Sequence, residues 1–192
     1  FYEDLYNSNT SIKTNYPEPD EIPPVILSEL QYAIKHLKSK KAPGPDGLVA
    51  EMFKHGGIEL HHYILQMINK INLAREKPTQ IHLSEIITLY QKGDKQQCAN
   101  FRPIPLLSHL YKLIMQIIYN RISNDLIASL PKEQAAYQSG RNTIELIQTL
   151  QQIIEKANEF QRNLVICFID YQKAFASVDY QKLWDALRRH TN

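Results

Sequence analysis

The stretch of residues 164–170, L-V-I-C-F-I-D, constrains the fold of this chain more than any other. Six apolar residues, three of them β-branched (Val165, Ile166 and Ile169), lead directly into Asp170. A continuous apolar run of this length is typical of a buried strand. Because an isolated buried carboxylate is costly, an acid at the end of such a strand indicates a metal or cation partner. The alternative is a strand-end or helix-capping residue.

Composition sets broad limits on the class of protein. A hydrophobic content of 43% with 22% charged residues predicts a folded chain, and the net charge of +2 permits a nucleic-acid partner without indicating one. Cys98 and Cys167, with no C-x-x-C motif, predict free thiols in a reducing compartment. No apolar run is long enough to cross a membrane, and the first residues lack signal-peptide character. We therefore expect an intracellular protein of the nucleus or cytoplasm, without a membrane partner.

Apolar periodicity predicts several helices after a proline-rich start. Residues 1–24 contain four prolines and are interpreted as a connector from a missing upstream part. Polar residues that favour helix N-termini precede three of the later apolar patterns. The predicted stripes and caps are Leu30–Leu37, Ile64–Ile71, Leu110–Leu126 after Ser108, Ile147–Ala157 after Asn142 with Glu145, and Tyr180–Leu187 after Asp179.

A hairpin is predicted between the second and third helical stripes. Residues 84–90 are β-rich, residues 91–99 are polar, and residues 100–107 form a second extended segment. Pro103 and Pro105 restrict the returning strand to a sheet edge, since proline lacks a backbone donor. Lys92 and Arg102 would then lie on this hairpin.

Four motifs together resemble LINE-type (non-LTR retrotransposon) reverse transcriptases. Residues 40–51 contain K-K-A-P-G-P-D-G followed by Glu51, and residues 100–108 read N-F-R-P-I-P-L-L-S. Residues 133–143 read E-Q-A-A-Y-Q-S-G-R-N-T, and residues 168–175 read F-I-D-Y-Q-K-A-F. The motifs follow the order and spacing of that family over roughly residues 25–190, and four in register are far more specific than one.

The resemblance implies an α+β, helix-rich, right-hand polymerase fold. Residues 25–163 would be the fingers and associated helices, and residues 164–192 the start of the palm with the first catalytic Asp strand. The intact enzyme would make DNA from dNTPs on an RNA template and a DNA primer. It would use two Mg²⁺ ions about 3.5–4 Å apart. The oligomeric state stays open.

The resemblance also implies roles in the palm segment. Asp170 would be catalytic as a metal ligand, and the backbone carbonyls of Ile169 or Tyr171 could complete the coordination sphere. Tyr171 would also belong to the substrate site. Phe175 would lie under the sugar and exclude a 2′-hydroxyl; the alternative is a core aromatic.

Basic residues elsewhere receive roles by the same resemblance. Arg102 would bind the incoming triphosphate, because a guanidinium offers a planar fork to phosphate oxygens, with Lys92 as a second contact. Gly140 and Arg141 would lie near the template or the base, and Lys40 and Lys41 near template backbone. The alternatives are a solvated hairpin, an ordinary turn and a solvated helix end.

The sequence departs from the family pattern at several positions. Ala176 stands where an Asp is usual, Ala136 where a Gly is usual and Pro105 where a Ser is usual. If Ala136 needed a positive φ, it would cost about 1 kcal/mol. The chain lacks the family's second metal-binding Asp-Asp, so we expect it not to polymerise alone. The rivals are a non-catalytic nucleic-acid-binding remnant or pseudogene relic, a maturase or telomerase-like polymerase, and an unrelated enzyme with Asp170 as general acid.

Overall fold

In the computed structural model of the chain, residues 23–74, 81, 83–171 and 174–190 are described. They form two units, one extending to Ile122 and the other beginning at Ser123. The predicted connector lies almost entirely outside the described residues. The helix-rich α+β class is confirmed, with one two-stranded antiparallel sheet in the described part. No helix there has the length and apolar character needed to cross a bilayer.

The helices of the first unit enclose its core. They are α1 (Leu27–His36), α2 (Ala50–His55), α3 (Gly57–Ala74) and the start of α4 (His109–Ser129). One apolar cluster joins them: Leu30 and Ile34 of α1, Ile68 of α3, and Leu113 and Ile117 of α4 are at most 3% exposed. These positions recur every three or four residues, so one face of each helix is buried, as predicted. Each fully buried Leu or Ile contributes about 1.5–3 kcal/mol.

Arg121 of α4 ties the beginning of the described chain to that core. Its Nε and Nη2 donate to the two carboxylate oxygens of Glu29 at 2.7 and 2.8 Å. Its Nη1 and Nη2 donate to the carbonyls of Pro23 and Pro24 at 2.8 and 2.9 Å. Glu29 also accepts from the Ile26 N–H at the start of α1 (3.0 Å). One guanidinium therefore holds two carbonyls and a helix N-terminus, a bidentate use that favours Arg over Lys.

The predicted hairpin is confirmed. Strand β1 (Ser84–Tyr90) pairs antiparallel with β2 (Phe101–Leu107), in a register running from Ser84↔Leu107 to Tyr90↔Phe101. Pro103 and Pro105 face Thr88 and Ile86 across the ladder. Among the described strands both are edges, so each proline's missing N–H can fall on the unpaired side.

The second unit contains the end of α4, then α5 (Thr143–Glu159) and α6 (Tyr180–His190). The predicted caps are confirmed: Asn142 Oδ1 accepts from the Glu145 N–H at 3.0 Å, and Asp179 Oδ1 accepts from the Lys182 N–H at 3.2 Å. Burial differs from the first unit, because the predicted apolar stripe of α5 is largely exposed, Ile147 by 55%. Local sequence was enough for these helices to form without a buried face.

The predicted buried strand before Asp170 is wrong. Residues 162–171 have no regular secondary structure, and Val165, Phe168 and Ile169 are 93%, 82% and 76% exposed. A strand exists through backbone hydrogen bonds to a neighbour, and the two described strands pair only with each other. Cys167 is therefore exposed rather than in a strand, and within the described residues neither it nor Cys98 forms a disulfide, as predicted.

Candidate functional site

The residues predicted to be functional fall in both units. The first unit contains Lys40, Lys41, Lys92 and Arg102, and the second contains Gly140, Arg141, Ile169, Asp170, Tyr171 and Phe175. Each unit presents its own set of groups to solvent.

Glu51 closes the loop of residues 40–51 in the first unit. Its Oε1 accepts from the backbone N–H of Lys40 at 2.6 Å, and this hydrogen bond lowers the pKa of Glu51 below its ordinary value. Lys40 has a φ of 57°, a left-handed conformation uncommon outside glycine. The side chains of Lys40 and Lys41 are exposed, and neither ammonium has a partner in the described part of the chain. The acid of this motif thus shapes a loop that offers two cations without partners among the described residues.

Gly44 brings that loop against the start of α4. A Cβ at Gly44 would lie 2.6 Å from the backbone N of Ser108 and 2.7 Å from the carbonyl carbon of Leu107. Ser108 caps α4 as predicted, because its Oγ accepts from the N–H groups of Leu110 and Tyr111 at 3.1 and 3.5 Å. Only glycine allows this approach, so the loop and the end of β2 are placed relative to each other.

His109 lies beneath the same loop and was not anticipated from the sequence. It is 2% exposed and its ring donates to the backbone carbonyl of Leu48, while Nδ1 has no partner among the described residues. Burial lowers the pKa of His109, and Lys112 lowers it further, against the opposing effects of Asp46 and Glu51. Burial therefore favours the neutral form of the imidazole. No local pattern marks it, because a histidine at the start of a helix is ordinary.

Contacts within the hairpin order its tip. The Tyr90 hydroxyl donates to the carbonyl of Gly93 at 2.6 Å, and its ring meets Phe101 edge-on at 5.6 Å between centroids. The Lys95 ammonium lies 5.4 Å from the Tyr90 ring centroid, within range of a cation–π contact. Asn100 donates from its side chain to the Asp94 carbonyl at 2.8 Å. The loop of residues 91–100 is thus a turn held by hydrogen bonds and ring contacts, with a basic surface.

Arg102 lies on β2 opposite Leu89, one residue from the tip. Its side chain is exposed, and its guanidinium has no partner in the described residues. Lys92 is also exposed in the tip. A free guanidinium on a short, ordered hairpin can bind an external anion through two parallel hydrogen bonds.

Arg141, in contrast, is engaged within the second unit. Its Nε donates to Glu145 Oε2 at 2.7 Å and its Nη1 to the carbonyl of Lys132 at 3.0 Å. Its backbone N–H donates to the Gln138 carbonyl at 3.3 Å, closing the turn that contains the exposed Gly140. These contacts tie the turn to the first turn of α5, so Gly140, rather than the guanidinium, is the accessible part of this motif.

Asp170 lies exposed on the irregular segment, between Ile169 and the 76% exposed Tyr171. Within the described ranges no group of three or more His, Cys, Asp or Glu side chains could hold a metal ion. Mg²⁺ requires near-octahedral oxygen coordination, commonly from one or two carboxylates, water and substrate phosphates. Asp170 supplies one carboxylate and two neighbouring carbonyls, so the described residues do not by themselves form a magnesium site.

Phe175 and Tyr137 form an exposed ring pair in the second unit. Their centroids are 6.2 Å apart at an interplanar angle of 86°, and the side chains are 72% and 82% exposed. Phe175, in a single 3₁₀ turn (Ala174–Ser177), is therefore not a core aromatic. Tyr137 has a φ of 61°, whereas Ala136 is not in the positive-φ region, so the strain considered for Ala136 falls on its neighbour. The glycine that is usual at position 136 therefore did not predict that the positive φ lies at Tyr137.

Comparison with known proteins gives consistent similarities. The family described as reverse transcriptase (RNA-dependent DNA polymerase) matches residues 90–192. The probable RNA-directed DNA polymerase from transposon BS of Drosophila melanogaster is 28% identical over 98% of the chain and 21% of its own length. The transposon TX1 uncharacterized 149 kDa protein of Xenopus laevis is 27% identical over 88% of the chain and 13% of its own length.

A third relative extends the same pattern. The RNA-directed DNA polymerase from mobile element jockey of Drosophila funebris is 28% identical over 88% of the chain and 19% of its own length. The chain thus spans about a fifth or less of the length of these three relatives.

Proposed function

The chain belongs to the reverse transcriptase (RNA-dependent DNA polymerase) family, and from that membership we propose that it is the nucleotide- and template-binding part of a retrotransposon polymerase. The predicted resemblance to non-LTR retrotransposon enzymes is confirmed, since relatives include polymerases of transposon BS and jockey. The intact enzyme would be a right-hand polymerase that copies RNA from a DNA primer with dNTPs. This chain would contribute the fingers and the start of the palm.

The single observation that carries the proposal is the free guanidinium of Arg102 inside the family match. Arg102 lies within residues 90–192, is exposed, and has no partner in the described residues. A triphosphate supplies pairs of oxygens that such a planar fork can bind through two hydrogen bonds. Lys92 of the tip adds a second cation. We assign the β- and γ-phosphates of an incoming nucleotide to this hairpin.

Each unit offers further groups to the substrates of the intact enzyme. In the second unit, Phe175 is an exposed ring able to meet a sugar, and Gly140 lies in a turn with accessible backbone. In the first unit, Lys40 and Lys41, without partners among the described residues, are cations for template phosphates. Each phosphate neutralised on a single strand contributes a slope of about −0.7 to the dependence of log affinity on log salt, so we expect salt-sensitive RNA binding that does not depend on base sequence.

Chemistry is not assigned to this chain alone. Asp170 is the carboxylate that would hold a divalent ion, yet the described residues supply too few ligands to retain it. We therefore expect nucleotide and RNA binding without DNA synthesis from the 192-residue chain. In a primer-extension assay with Mg²⁺, products that persist in Asp125→Ala and vanish in Asp170→Ala would contradict this expectation. Asp125 is an exposed acid of α4 and serves as the matched control.

Competition binding tests the phosphate assignment directly. A dUTP labelled on its γ-phosphate is displaced by unlabelled dUTP from the wild type, Arg102→Ala, Arg102→Lys and Lys70→Ala. Loss of a charge-assisted pair costs about 1.5–3 kcal/mol, which corresponds to roughly 10- to 100-fold weaker binding for Arg102→Ala. Arg102→Lys should recover only part, since an ammonium lacks the fork. Lys70 is an exposed cation of α3, so its variant controls for net charge.

Equal affinities of Arg102→Ala and Lys70→Ala for dUTP would contradict the assignment of the nucleotide phosphates to the hairpin. The second candidate, a non-catalytic nucleic-acid-binding remnant, is favoured by the lack of a metal-binding cluster in the described part, whereas Lys40 and Lys41, without partners among the described residues, suit either candidate. Salt-sensitive RNA binding by a chain that binds no labelled dUTP at any concentration would support that candidate instead.

A further inference from the structure

We propose that Tyr137 is a positioning residue whose ring holds Phe175 in the orientation that separates deoxyribonucleotides from ribonucleotides. The inference rests on the proposed function, in which Phe175 meets the sugar. It adds a second residue, from a different motif, as a determinant of substrate specificity.

The geometry of the pair is the first support. The two rings lie nearly perpendicular, at 86°, with centroids 6.2 Å apart. This edge-to-face arrangement is the one that the charge distribution of aromatic rings favours. Tyr137 is the aromatic partner of Phe175 among the described residues. Because Phe175 is 72% exposed, few other atoms restrict its rotation.

The backbone at Tyr137 is the second support. A bulky residue at a φ of 61° is an outlier, and such residues persist only where the surroundings impose them. Here the Gln134 N–H donates to the Pro131 carbonyl at 3.0 Å, and Gln138 Nε2 donates to the Gln134 carbonyl at 2.6 Å. Ala135 is buried within this turn. The turn is thus built on both sides of Tyr137.

Burial does not account for that strained conformation. The Tyr137 ring is 82% exposed, so it contributes little to a core. What the turn achieves is to project the ring toward Phe175. Strained residues of this kind are concentrated at ligand sites, where a fixed side-chain direction matters more than stability.

The fixed orientation of Phe175 affects nucleotide selection. A ring excludes a 2′-hydroxyl only if it cannot swing away when that hydroxyl arrives. Without Tyr137, Phe175 can rotate and make room, so a ribonucleotide gains affinity while a deoxyribonucleotide is little affected. Phosphate binding by the hairpin is separate from this effect.

The test compares dUTP with UTP, which differ only in the 2′-hydroxyl, as competitors for γ-labelled dUTP on the full chain. The measured quantity is the ratio of the two dissociation constants in wild type, Tyr137→Phe, Tyr137→Gly, Tyr137→Asn and Phe175→Gly. We expect the wild type and Tyr137→Phe to favour dUTP by on the order of tenfold. Tyr137→Gly and Tyr137→Asn should fall to the ratio of Phe175→Gly, and the double variant Tyr137→Gly/Phe175→Gly should fall no further.

The variants separate the ring from the strain. Glycine and asparagine both accept a positive φ, so they relieve the backbone while removing the ring, and their thermal midpoints should equal or exceed that of the wild type. A purely structural role for Tyr137 would change the midpoint and leave the ratio alone. A lost ratio in a variant that melts no earlier supports the positioning role.

Four results would overturn the proposal. A wild-type ratio in Tyr137→Gly would show that Phe175 needs no partner. A lost ratio in Tyr137→Phe would assign the effect to the hydroxyl rather than the ring. Binding of dUTP and UTP with equal affinity by the wild type would remove sugar selection but keep nucleotide binding, whereas no binding of either nucleotide would overturn the proposed function too.

Discussion

Gly44→Ala is the substitution that most directly tests how the loop of residues 40–51 is held. The three atoms nearest to the added methyl would all be backbone atoms: the N and Cα of Ser108 at 2.6 and 2.8 Å and the carbonyl carbon of Leu107 at 2.7 Å. Ordinary van der Waals contact begins near 3.4 Å, so the loop and the start of α4 must separate by about 0.6–0.8 Å. No side-chain rotation can relieve the overlap.

The expected cost combines two opposing effects. Overpacking of a tight interior site destabilises by about 1–3 kcal/mol. Replacing glycine by alanine also restricts the unfolded chain, which stabilises by about 0.4–1 kcal/mol where the native backbone allows alanine. We therefore expect Gly44→Ala to lower the free energy of unfolding by about 1–2 kcal/mol. The same separation should let water reach His109, which lies under the loop.

Two measurements check this reasoning. Urea titration gives the change in the free energy of unfolding, and NMR titration gives the pKa of His109, which should rise toward its ordinary value of 6.5 as burial is lost. Gly47→Ala is the control: its φ is +69° with no atom within 4 Å of the new methyl, so it strains the backbone but moves nothing. Wild-type stability together with an unchanged His109 pKa in Gly44→Ala would refute the close approach.

Two further predictions concern pH. The pKa of His109 in the folded chain is below 6.5, so the unfolded chain binds the proton first as pH falls. The free energy of unfolding should therefore decrease as pH drops below about 7, by at most about 1.4 kcal/mol per pH unit. His109→Gln should remove that pH dependence in urea titrations at pH 7.5 and 5.5. A parallel slope in the variant would exclude His109 as its source. Arg121 lowers the pKa of Glu29, so their pair stabilises fully above about 4.5 and is lost as pH falls through the folded value. Because both side chains are about 30% exposed, Arg121→Ala should lower the free energy of unfolding by only about 1–2 kcal/mol at pH 7 and by clearly less at pH 3. An equal loss of stability at the two pH values would refute the role of the ion pair.

Local sequence was sufficient wherever a segment needs only itself. The apolar spacing of α1 predicts its buried residues, and Ser108, Asn142 and Asp179 were identified as caps because each bonds backbone two to three residues ahead. The hairpin was predicted for the same reason, since its two strands are neighbours in sequence. Family recognition from four motifs also held, because motif order and spacing are properties of the chain itself.

The strand predicted before Asp170 failed for the opposite reason. The apolar run is real, but a strand depends on a partner elsewhere in the chain, and the described residues offer none to this segment. The α5 stripe likewise predicted a helix correctly and its burial incorrectly. Periodicity reports which face is apolar, whereas only packing decides whether that face is covered.

The sequence by itself determined α1 and α3–α6, the caps of α4, α5 and α6, the hairpin and the family of this chain, but it did not predict α2. The tertiary structure alone decided the partners of Arg121, which lie 92 to 98 residues away, and the burial of His109 under a loop some 60 positions earlier. It also paired Tyr137 with Phe175 and put the positive φ at Tyr137 instead of Ala136. The physical reason is common to all of these: contacts between residues distant in sequence depend on how the elements pack, and no local pattern of side chains specifies that.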